Sequence, residues 1–154
     1  MAAQPVNPLD EEVARLREFI ALLQREQELL KAADTETLLP LIETKTNLAN
    51  RLGALAQGRE AFLSRQGLPA GRVGMETWLA RHGNEAQRAS WQTLLALAAE
   101  ARDLNALNGQ LIGLHMRHNQ QAFAALMSAT DRAMTYGPDG QQSAGLGGRI
   151  LGSA

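Results

Sequence analysis

The sequence predicts an all-α protein: an antiparallel bundle of three long helices plus one short helix, followed by a flexible C-terminal tail. Three observations carry this. The chain is 45% hydrophobic but only 4% aromatic, so its core is mostly leucine and alanine. Such side chains suit helix-on-helix packing. Three separate stretches repeat apolar residues at alternating spacings of three and four, and helix-capping residues fall between them. β-Branched residues are sparse, which argues against a sheet.

The first helix is expected over about 9–33. Asn7 can cap it, Pro8 suits its first position, and Asp10 and Glu11 face the positive helix end. Leu9, Val13, Leu16, Ile20, Leu23 and Leu30 form its seam, with Gln27 as the polar member. Arg15, Glu18, Arg25, Glu26 and Glu28 fall elsewhere on the helix. The second helix is expected over about 37–66. Either Thr37 caps it and Pro40 lies in the first turn, or Asp34 caps it and Pro40 bends the helix. Its seam is Leu38, Leu41, Lys45, Leu48, Leu52, Leu55, Arg59 and Phe62. Lys45 and Arg59 interrupt that seam: either their stems lie on apolar surface with the charges in water, or the seam rotates away. Gly67 and Pro69 end the helix.

Residues 68–74 read as a glycine- and proline-bearing loop, and 75–82 as a short helix burying Trp78 and Leu79 and ending at Gly83. Asn84 and Gln87 then form a capping box. The last helix is expected over about 85–135. A broad apolar stripe follows it from Trp91 through Leu104, Leu107, Leu111, Leu114 and Phe123 to Leu126. Gly109 and Gly113 inside it either admit a close backbone or mark a bend. Gly137-Pro138 stops the helix, just after the chain's single tyrosine, Tyr136. The expected division is a helical domain over 1–136 and a flexible glycine-rich tail over 137–154.

Composition excludes several functions. Fifteen basic and 16 acidic residues give a net charge of −1, without the basic bias that drives nucleic-acid binding. The absence of cysteine removes thiolate metal sites, thiol nucleophiles and disulfides. No signal-peptide pattern opens the chain, and no apolar run approaches the roughly 18 residues that span a bilayer. A cytoplasmic protein without membrane insertion is expected. His115 and His118 share a helix face, but neither Glu-x-x-His nor His-Glu-x-x-His is present. No metal, cofactor or catalytic group is expected. Asn105 and Asn108 allow two readings: polar residues that set register on a bundle seam, or the polar edge of a groove that bonds a partner.

The helix of Leu38, Leu41, Lys45, Leu48, Leu52 and Leu55, then Arg59, Trp91, Leu104-Asn105-x-x-Asn108-Gly109-x-Leu111-Ile112 and Thr135-Tyr136-Gly137-x-x-Gly140-Gln141 resemble the FlgN family of flagellar export chaperones. The resemblance covers nearly the whole chain, from about Leu16 to Gln141. It implies a cytoplasmic helical chaperone that holds the disordered C-terminal segments of the hook-filament junction proteins FlgK and FlgL. It further implies delivery to the type III export gate, where the FlhA cytoplasmic domain receives the complex through the position matching Tyr136. The expected substrate site is the stripe of Leu107, Leu111, Leu114 and Ala122, with Asn105 and Asn108 at its polar edge. The alternatives are a coiled-coil adaptor that homodimerises through the first seam, and a metal-dependent enzyme using His115 and His118.

Overall fold

The computed structural model describes residues 7–118 together with 127, 128 and 131. Four helices follow in order: α1 Pro8–Lys31, α2 Thr35–Arg65, α3 Gly71–His82 and α4 Glu85–His118. No strand occurs among the described residues.

The caps explain these limits. Asn7 accepts a hydrogen bond from the Leu9 amide at 3.1 Å, and Pro8 opens α1 where no amide is needed. The α1–α2 turn is closed by Ala33 in the left-handed region (φ 54°). The Asp34 amide donates back to the Leu29 carbonyl at 3.0 Å. Asp34, not Thr37, caps α2: its carboxylate accepts from the Thr37 amide at 3.2 Å and the Thr37 hydroxyl at 2.7 Å. Those bonds, the hydroxyl's first, hold the Asp34 carboxyl below its usual pKa. Pro40 therefore lies inside the helix, and its missing amide leaves the Glu36 carbonyl without that i→i−4 donor.

The short helix begins at Gly71, four residues before the position expected from sequence. The glycines that read as loop serve its first turn instead. A Cβ on Gly74 would lie 1.8 Å from the Pro69 carbonyl oxygen, so only glycine fits there. The Gly71 amide donates to the Glu60 carboxylate at 2.9 Å, in place of a side-chain cap. The capping box before α4 forms as expected, with Asn84 and Gln87 bonded reciprocally at 2.8 and 2.9 Å.

Helix α1 packs on both α2 and α4, and α3 packs on α2. Pairings of Glu12 with Arg59 and Glu26 with Lys45 run α2 antiparallel to α1. Pairings of Asn7 with Ser90 and Leu23 with Asn108 run α4 parallel to α1. The result is an up-down-up bundle. Its main core gathers Leu16, Leu23, Leu52, Leu63, Trp91 and Leu94 among others. A smaller cluster of Leu29, Leu30, Leu38 and Ile112 closes the end at the α1–α2 turn.

Met127 is one of the few described residues beyond α4. It packs on that smaller cluster, and its Cε lies 3.8 Å from where a Cβ on Gly113 would sit. Of the helix expected over 85–135, the part beyond 118 lies outside the described residues apart from 127, 128 and 131.

Candidate functional site

The rotation of α4 decides which of its faces is available, and two buried polar layers fix that rotation. In the first, Arg59 donates from Nε and Nη2 to the two Glu12 carboxylate oxygens at 3.1 and 3.0 Å. Its guanidinium carbon stands 5.3 Å from the centroid of Trp91. In the second, Lys45 donates to both Glu26 oxygens at 3.1 Å and to the Asn105 side-chain oxygen at 3.0 Å. Asn108 Nδ2 donates to the Leu23 carbonyl at 2.8 Å and to Glu26 at 2.9 Å.

The Lys45 and Glu26 side chains are each 1% exposed, and those of Arg59 and Glu12 are 5% and 2% exposed. The expectation that the Lys45 and Arg59 charges reach water, or that the seam turns away from them, is therefore overturned. Both cations point inward because α1 supplies a buried carboxylate at each level. Glu26, expected off the α1 seam, is buried in the core. Burial pushes the Lys45 ammonium below its ordinary pKa, against the opposing charge and hydrogen bonds of Glu26.

The buried residues of α4 are Trp91, Leu94, Ala98, Ala101, Asn105, Asn108 and Ile112, a seam of alternating spacings four and three. Asn105 and Asn108 are thus seam residues; as placed, they are not the polar edge of an open groove. Leu104, Leu107, Leu111 and Leu114 lie one position off this seam. Leu107 is 44% and Leu114 50% exposed, whereas Leu104 and Leu111 are half-buried against the two clusters. The polar edge beside Leu104 and Leu107 is formed by Gln24 of α1 with Glu100 and Asp103. Sequence reading missed these residues, although Glu100 and Asp103 each precede a stripe leucine by four and so share its face.

Of the remaining expected site residues, Ala122 and Tyr136 lie outside the described residues, as does the 137–154 tail. Among the described residues no group of three or more His, Cys, Asp or Glu could hold a metal ion. No helix among them is long and apolar enough to cross a membrane.

A family model described as FlgN protein matches residues 1–144. Among solved structures, the fold is similar to a flagella synthesis protein FlgN from Pseudomonas aeruginosa. The TM-score is 0.66 at 18% identity, over 86% of this chain and 99% of that one. No curated protein matches the chain.

Proposed function

The chain belongs to the FlgN family of flagellar proteins, and from that premise we propose that it is a cytoplasmic export chaperone for the hook-filament junction proteins FlgK and FlgL. In this reading it holds their C-terminal segments and passes them to the FlhA cytoplasmic domain at the type III export gate. The observation that carries the proposal is the leucine stripe of α4. Its inner seam is closed by the bundle's own residues, yet Leu107 and Leu114 remain exposed one heptad apart on the outside. Leucines at that spacing suit helix-in-groove recognition of a partner's amphipathic segment. Leu104 and Leu111 form the half-buried floor, and Glu100 and Asp103 the polar edge. The adaptor alternative is less well supported, because the α1 seam is already covered by α2 and α4 of the same chain.

The test uses the exposed leucines. Leu107→Asp with Leu114→Asp should leave the helical circular dichroism and melting unchanged. Each lost anchor should weaken capture of the FlgK and FlgL C-terminal segments at least about tenfold, the equivalent of one buried leucine side chain. Retained capture by a folded double variant would place the substrate elsewhere. Leu111→Asp is a poorer probe, since Leu111 also packs on the cluster at the α1–α2 turn. For gate delivery, Tyr136→Ala should keep the fold and substrate binding but weaken calorimetric binding of the loaded chaperone to the FlhA cytoplasmic domain. Equal affinities would retire Tyr136 as the docking residue.

A further inference from the structure

At the opposite end of the bundle from the α1–α2 turn, a cleft of about 510 Å³ opens between the start of α1, the second half of α2, and α3. That volume lies in the range of ligand-binding clefts, ~300–1,000 Å³. Its α2 wall carries Leu55, Gly58, Phe62 and Arg65. Their alternating spacings of three and four make one face about 15 Å long. From α3 come Met75 and Trp78, the latter edge-to-face with Phe62 at 5.2 Å between centroids.

Charge separates this cleft from an ordinary surface dimple. Three ionisable residues line it: Glu12, Arg59 and Arg65. Glu12 and Arg59 are bound to each other. Arg65 is exposed and has no ion-pair partner among the described residues. The uncompensated charge is therefore one cation at the end of an apolar trough.

The wall also constrains the occupant's backbone. Along its α2 wall, Leu55 to Phe62 lie inside the helix, where amides and carbonyls bond internally, so an extended peptide would find no backbone partners there, whereas a helix satisfies its own. Space for close approach exists at Gly58, where an added Cβ would meet nothing within 4 Å. An interior helical glycine costs about 0.5–1 kcal/mol relative to alanine, and no contact within the described chain requires one at this position.

We infer that this cleft is a second docking surface, for an amphipathic peptide helix that lays large apolar side chains over Leu55, Phe62 and Trp78 and brings a carboxylate to Arg65. It is separate from the α4 stripe and does not depend on the chaperone proposal.

The experiment uses the full chain and two synthetic 18-residue helical peptides. Both carry leucines at spacings of four and three along one face; one has glutamates flanking the leucines at both ends, the other lysines. Binding is followed by tryptophan fluorescence and by the Gly58 amide resonance. The glutamate peptide should bind and shift that resonance, and the lysine peptide should bind at least tenfold more weakly. Gly58→Leu, whose added Cβ meets no atom within 4 Å and whose side chain occupies the trough, should abolish binding with its melting temperature kept. Arg65→Glu should reverse the peptide preference, and it tests the same site if Gly58→Leu loses the fold. Leu107→Asp with Leu114→Asp should change nothing here. Equal binding of the two peptides, or undiminished binding by folded Gly58→Leu, overturns the inference. So does loss of binding only in the stripe variant, which would seat the peptide on α4. Self-association without peptide that Gly58→Leu removes would assign the cleft to a second copy and also overturn it.

Discussion

The two buried polar layers occupy matching places on the three long helices, yet they satisfy their charges by different chemistry. Glu12 and Glu26 on α1, Lys45 and Arg59 on α2, and Trp91 and Asn105 on α4 are each spaced by fourteen residues. That is two heptads, or about 21 Å of helix. Where the cation is a planar guanidinium, it forks onto the carboxylate and faces an indole ring. Where it is a compact ammonium, three acceptor oxygens surround it and two asparagines replace the ring. The difference teaches that an inward position on a seam does not dictate an apolar residue. It requires that the facing helices match the shape and hydrogen-bonding capacity of what is placed there.

The largest effect should come from breaking the lysine layer on one side. Lys45→Met leaves the Glu26 carboxylate buried and without its cation, and should destabilise the fold by about 3–5 kcal/mol in urea denaturation. Replacing both partners, with Glu26→Leu and Lys45→Met, should recover most of that loss or exceed wild type, since that layer then holds no unpaired buried charge. Asn108 keeps its bond to the Leu23 carbonyl in that variant. A single substitution costing under about 1 kcal/mol would mean that the ammonium is as well hydrated as in a surface pair.

The arginine layer should respond less to a change that keeps the charge. Arg59→Lys retains a cation beside Glu12 but loses the fork, the Glu60 contact at 3.1 Å and the placement over Trp91. The expected cost is about 1.5–3 kcal/mol, that of a charged hydrogen bond. An unchanged denaturation midpoint would show that any cation suffices at that level and erase the contrast between the layers.

The same contrast explains what the sequence reveals and what it hides. Helix number, the caps at Asn7 and Asn84, and the stop at Gly67 depend on residues close in the chain, and local chemistry exposes them. Seam register depends on other helices. On α1, the register of the apolar repeat places Val13 and Gln27 among the leucines, but Glu12 and Glu26 are the buried residues because Arg59 and Lys45 face them. On α4, leucine content draws attention to Leu107 and Leu114, while Asn105 and Asn108 hold the seam. A stripe that is apolar and yet one position off the seam is what leaves Leu107 and Leu114 exposed. That offset is visible only once the cross-helix pairs are known. The contact of Met127 with the cluster beside Gly113 likewise has no local signal in the apolar repeat.

The smallest expected difference between the layers lies in their response to alkali. Burial holds the Lys45 ammonium below its ordinary pKa of 10.5, and unfolding restores the ordinary value. Below the lowered native pKa both states carry the proton, and the burial cost is present in full. Between that value and 10.5 the unfolded chain binds more protons than the folded one, so the stability contributed by Lys45 rises with pH. Above 10.5 both states are neutral at this residue and the contribution levels off. Arg59 adds no slope, because its guanidinium stays protonated throughout. The chain suits the measurement: thirteen of its fifteen cationic residues are arginine, and its other lysine, Lys31, is exposed. Urea midpoints from about pH 8 to 10.5 should therefore rise in wild type relative to the Glu26→Leu, Lys45→Met double variant, with Lys31 and Tyr136 common to both. A difference that stays flat over that range would place the Lys45 pKa at its ordinary value, and the lysine layer would then differ from the arginine layer in shape alone.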